Sequence, residues 1–253
     1  LNFLDELLQL DGTLYVVATD ASLNTPERIR HHQKDQAAKI VKHIDLMQFD
    51  AAKQGLRELA DLINGMSPQL YVQMQSQLYL VLMIINTAIL YYVQRRPQTL
   101  GSFRWRIDQK NSSKTDYEEA YLQVLPGFLQ TASLREPIPM LAEGNYKWFD
   151  RFHYPVGEEP TYLQDVYGIE TDDADERKLN IGKVVQEDMA LVDSKHNQSV
   201  QVADLLASGI RRCLRNGFTA NNKVSERLGA LMVQSVSRKT PVHLISFGQE
   251  SRE

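Results

Sequence analysis

Three aspartates stand where α/β folds gather their chemistry. Asp20 and Asp108 stand at or near the ends of two short segments that read as strands, and Asp204 lies in the first turns of a late helix. Carboxylates brought together repel unless a divalent cation neutralises them. Mg2+ or Mn2+ takes oxygen ligands from one or two carboxylates and keeps waters for a phosphate substrate. Two such ions, about 4 Å apart, would position an attacking water and stabilise the leaving oxygen in phosphodiester hydrolysis. Asp20, Asp108 and Asp204 are therefore the candidate metal ligands and catalytic acids. Gln201 is the group that would orient a water or a ligand carboxylate, and Asp193, which also ends an apolar run, is held in reserve.

The cations that such a reaction needs are also present. Gln201, Asp204, Ser208, Arg211 and Arg215 recur at steps of three and four, so one helix carries them as a polar stripe opposite the apolar Val202, Leu205, Leu206, Gly209, Ile210 and Cys213. Arg104, Arg106, Lys110, Arg211, Arg212 and Arg215 form a candidate nucleic-acid-binding set, because guanidinium and ammonium groups position phosphates. A competing account needs no ligand: an acid near a helix start and bases near its end both suit the helix macrodipole.

The elements that must position these residues follow from periodicity. Leu4, Leu7 and Leu8 sit at helical spacing until Asp11-Gly12 stops the run, and Leu14 to Ala18 is continuous enough for a strand buried on both faces. Thr25-Pro26 opens a polar helix to about Met47. Within it, His31-His32 reads as a solvated pair, since adjacent side chains diverge by about a hundred degrees. Asp50 to Gly65 is an amphipathic helix. Leu70 to Val93 is the most apolar stretch, yet Asn86, Thr87 and three early glutamines make it a buried central helix and not a membrane span. Phe103, Trp105 and Ile107 alternate with Arg104, Arg106 and Asp108, which predicts a half-buried strand. Thr115 and Glu118 form a capping box for the next helix. Residues 137–183, rich in Pro, Gly and aromatics at their start, read as an irregular covering segment, with a solvated acidic run at Glu170 to Glu176. Val184 to Val192 reads as a strand that ends at Asp193.

These elements make one α/β domain over residues 1–253, helix-rich and long enough to bury a large core without staples. A lone cysteine, Cys213, excludes an intrachain disulfide and agrees with a reducing, cytoplasmic setting. The net charge of -4 argues against coating nucleic acid by bulk positive charge, which leaves local patches. No glycine-rich phosphate loop, dinucleotide fingerprint or Gly-x-Ser-x-Gly elbow occurs.

The segment Gln201-Val-Ala-Asp204, followed by Leu-Leu-Ala-Ser-Gly-Ile-Arg-Arg and preceded by Asp193-Ser194-Lys195, resembles the carboxy-terminal Gln-x-x-Asp signature of the bacterial family called domain of unknown function 3800. Trp105-Arg-Ile-Asp108-Gln-Lys110 with Tyr117-Glu118, and more weakly Asn145-Tyr146-Lys-Trp-Phe149, resemble its middle. By analogy the resemblance implies a ribonuclease H-like mixed sheet flanked by helices and a metal-dependent nuclease or phosphodiesterase. It also implies a first strand with an Asp-Glu motif, which this chain does not show; Asp5-Glu6 lies in a helical pattern, so that strand is expected upstream of Leu1. Two alternatives stand beside the nuclease: a catalytically silent nucleic-acid-binding module, marked by magnesium-independent binding, and a protein-binding module, marked by concentration-dependent assembly.

Overall fold

The computed structural model describes residues 2–47, 49–109, 115–135, 138–158, 178–233 and 241–248. In chain order the elements are α1 (Asn2–Gln9), β1 (Val16–Thr19), α2 (Pro26–Val41), α3 (Asp50–Gly65), α4 (Pro68–Arg95), β2 (Trp105–Asp108) and α5 (Asp116–Arg135). They continue with α6 (Ile181–Gln186), β3 (Met189–Val192), α7 (Gln198–Leu214), α8 (Asn221–Ala230) and β4 (Val242–Ile245). The fold is α/β and dominated by helices.

Local chemistry sets the helix ends. Thr25 and Ser67 accept hydrogen bonds from the backbone N–H groups of Arg28 and Leu70, and Pro26 and Pro68 take the first helical positions of α2 and α4. After α1, Asp11 adopts φ 58° and Gly12 N–H returns to Leu7 C=O at 3.1 Å, which satisfies a carbonyl the helix would leave orphaned. At α5 the capping box forms reciprocally: Thr115 N–H donates to Glu118 Oε2 at 2.8 Å, and Glu118 N–H donates to Thr115 Oγ1 at 3.3 Å.

Helix α4 is the centre of the main core. Tyr71, Met74, Leu78, Val81, Ile85, Ala88, Ile89 and Val93 are buried along it, with α2, α5 and β1 packed around it. By length and composition it is the one helix among the described residues that could cross a membrane. Two of its glutamines find protein partners, Gln75 Nε2 donating to Tyr71 Oη and Gln77 Oε1 accepting from Tyr117 Oη, whereas the buried Asn86 Oδ1 has none among the described residues.

The four described strands form two parallel pairs. β1 lies beside β4 with Val16 opposite Val242 and Thr19 opposite Ile245; β2 lies beside β3 with Trp105 opposite Met189 and Asp108 opposite Val192. The single mixed sheet expected from the sequence is not formed by these strands. Strand alternation makes β1–β4 a middle layer: Val17 and Ile245 join the α4 core, whereas Val16 and Val242 meet Ile210, Leu228 and Met232 in a second cluster with α1, α7 and α8.

Several expectations need correction. Val184 and Val185 are helical, not strand. Ile181, Val184 and Val185 sit at i, i+3 and i+4, all buried, and Asn180 Oδ1 caps Lys183 N–H, so the strand is confined to Met189–Val192. The covering segment is irregular only in part. Residues 138–158 hold turns and one short 3-10 helix, Asp150–Phe152, where Phe152 and the preceding Phe149 are buried against Phe103, and the segment is helical again from Ile181. Glu170 to Glu176 lies outside the described residues. Leu205, assigned to the apolar face of α7, is 61% exposed.

Candidate functional site

The carboxyl end of the β2–β3 pair is where the candidate residues concentrate. Asp108 is the last residue of β2, and the next amide, Gln109 N–H, donates to Val192 C=O at 2.9 Å, so Asp193 leaves β3 at the same end of the sheet. Asp193 Oδ1 accepts from Lys195 N–H at 2.9 Å and caps the turn Ser194–His196. Asn197 Oδ1 then caps α7 through Val200 N–H. Gln201 fastens the helix to that turn, donating from Nε2 to Ser194 C=O at 2.7 Å and to Lys195 C=O at 3.3 Å. The amide predicted to orient a water is thus engaged in holding the Asp193 turn.

Helix α7 packs against β2, which brings the element bearing Asp204 to the strand bearing Asp108. Both carboxylates are exposed, and among the described residues neither has a hydrogen-bond or ion-pair partner. Asp20 belongs elsewhere. It follows β1, on the other strand pair, and its Oδ1 accepts from Ser22 N–H at 2.8 Å and Ser22 Oγ at 2.7 Å. Those bonds hold the Asp20 carboxyl below the usual carboxylate range and make it the closing group of the β1–α2 turn. Among the described residues no three carboxylate, imidazole or thiol groups stand together as a metal-binding set, so Asp20, Asp108 and Asp204 are not assembled as one here.

The cations divide in the same way. Arg106 Nη2 reaches Asp188 Oδ1 at 2.8 Å while its Nη1 donates to the Trp105 and Asp188 carbonyls, so this residue fixes the approach to β3. Arg104 Nε lies 3.5 Å from Asp188 Oδ2 and stays 76% exposed. Arg212 donates from Nε to Gly217 C=O at 2.8 Å and lies over the Phe218 ring, closing the turn after α7. Arg211 and Arg215 are exposed and have no side-chain partner among the described residues. Lys110 lies outside the described residues.

Sequence reasoning missed two sets of residues. Asp188 neutralises Arg104 and Arg106, and no local pattern reveals this because strand pairing creates the contact. The His31-His32 pair is not simply solvated. His31 Nε2 lies 3.4 Å from Asp35 Oδ2, an i,i+4 spacing that is visible in the sequence, and half-buried His32 bonds to Tyr71. No family model, curated protein or solved structure matches the chain.

Proposed function

We propose that the carboxyl end of the β2–β3 pair, together with α7, binds a divalent cation, Mg2+ or Mn2+, and a nucleic-acid phosphodiester, and that hydrolysis of that bond, ribonuclease H-like in layout, is its chemistry. The observation that carries this reading is the β2–β3 register. It sets Asp108 and Asp193 at neighbouring strand ends, beside the helix that presents Asp204. Open parallel sheets bind ligands at the carboxyl ends of their strands.

Asp108 and Asp204 suit a hard cation, since both are carboxylates and magnesium needs only one or two of them beside water and phosphate. Asp108 and Asp204 would be the ligands, while Asp193 caps the neighbouring turn through its Oδ1. Bound there, the cation would supply a water of lowered pKa and neutralise charge on the phosphate. Gln201 keeps the Asp193 turn against α7. Arg211, Arg215 and exposed Arg104 hold the backbone of the nucleic acid, leaving Arg106 and Arg212 to the fold.

Binding of labelled DNA and RNA oligonucleotides across a salt series tests this. Arg211→Ala with Arg215→Ala should weaken binding of every sequence alike and flatten the salt dependence by about one unit of slope per lost contact. An unchanged slope would remove α7 from the interface. The second reading, a catalytically silent nucleic-acid-binding module, is favoured by the lack of an assembled carboxylate trio among the described residues. Tight binding with no magnesium dependence and no cleavage would select it.

A further inference from the structure

The segment after β4 rests against a half-buried histidine ring, His32. Tyr71 is fully buried on α4, and its hydroxyl accepts from Gln75 Nε2 at 3.1 Å. The phenol has one proton, and with Gln75 donating to its oxygen that proton is directed to His32 Nδ1, 2.7 Å away on α2. In that arrangement His32 is neutral, with its own proton on Nε2. The face of this assembly is covered by Phe247, whose ring meets His32 edge-on at 5.2 Å and lies 6.0 Å from Tyr71. Phe247 is 5% exposed, and its N–H donates to the buried Asn24 Oδ1 at 2.8 Å. Asn24 in turn donates from Nδ2 to Thr19 Oγ1 at 2.7 Å and to Asp20 C=O at 2.9 Å.

We propose that His32 is a pH-operated latch on this segment: neutral, it receives the Tyr71 proton and seats Phe247; protonated, it loosens Phe247 and, through Asn24, the turn that carries Asp20. A protonated ring would aim an N–H at the Tyr71 oxygen, which already accepts from Gln75, and would strand the phenol proton inside the core. Tyr71 cannot relieve this by ionising, because burial pushes its own pKa up. The surroundings agree. Burial disfavours the His32 cation most, Lys39 and His31 oppose it, and Asp35, which favours it, is already paired with His31. Those charged neighbours lie on α2 itself; α4 brings the Tyr71 hydroxyl, and Ser246 to Gly248 bring no titratable group.

Nuclear magnetic resonance of the full chain from about pH 7.5 to about pH 5, the window in which histidine changes charge, reads the latch directly. At pH 7.5 the His32 ring should carry its proton on Nε2 and should titrate below the ordinary value. On acidification the protection of the Phe247 amide, taken relative to His32→Gln at the same pH, should fall severalfold. Tyr71→Phe, which keeps the ring and removes the hydroxyl, should move the His32 titration upward. A proton on Nδ1, an ordinary titration, or Phe247 protection that follows the same course in wild type and His32→Gln would each overturn the latch. None of these outcomes depends on metal or nucleic acid.

Discussion

Helix α4 buries nine of its 28 residues, whereas α7 buries two of its 17, Val200 and Ile210. Two glutamines of α4 are answered inside the protein, Gln75 by Tyr71 and Gln77 by Tyr117, and the buried Asn86 Oδ1 has no partner among the described residues. The polar groups of α7 are turned outward, and Asp204, Arg211 and Arg215 have no partner among the described residues. The macrodipole accounts for arginines near the end of α7 but not for Asp204, which lies beyond the first turn where that effect acts. One helix is explained by the fold it holds together. The other carries charges that have no partner among the described residues, and the proposed phosphate contacts rest on those charges.

The contrast can be broken most directly by truncation in the two helices. Leu78→Ala, at a fully buried site of α4, should destabilise the protein by about 2–5 kcal/mol in urea unfolding, from lost transfer energy and the cavity left behind. Leu205→Ala on α7 should stay within about 0.5 kcal/mol, as exposed sites do. Equal losses would mean that α7 is as structural as α4. Of intermediate size, Thr115→Ala should remove about 1 kcal/mol by opening the α5 capping box, and Thr115→Ser should restore most of it.

The smallest effect separates Asp20 from the acids at the other strand pair. Ser22 holds the Asp20 carboxyl below its usual range, so its contribution to stability is present above the ordinary carboxylate pKa and is lost as pH falls through the folded value. Carboxyl-resolved titration should show Asp20 ionising at lower pH than free aspartate, and Ser22→Ala should move it back. A titration indifferent to Ser22 would end its assignment as a turn-closing group.

Much of this was legible in the sequence because it is local. The Phe103 to Asp108 alternation gives β2 its two faces, Thr25-Pro26 and Ser67-Pro68 mark their helices, Thr115 and Glu118 cap α5, and the stripe on α7 is exposed as its period implies. What failed was contextual. Ile181, Val184 and Val185 suit a helix or a strand until a core chooses between them. Asp188 becomes the partner of Arg104 and Arg106 only when β3 docks on β2, and His32 meets Phe247 only when β4 closes beside β1. The candidate site was legible as a list of acids. Its division between two strand pairs was not, since alternation fixes which way a side chain points and says nothing of which strand lies alongside.

The central claim, that the β2–β3 end and α7 hold a divalent cation, is tested most directly by calorimetric titration of manganese into the full chain beside Asp108→Ala and Asp204→Ala, with circular dichroism confirming that each is folded. Saturable binding lost in both variants is the predicted result. No binding to the parent chain, or binding that survives both substitutions, would contradict it.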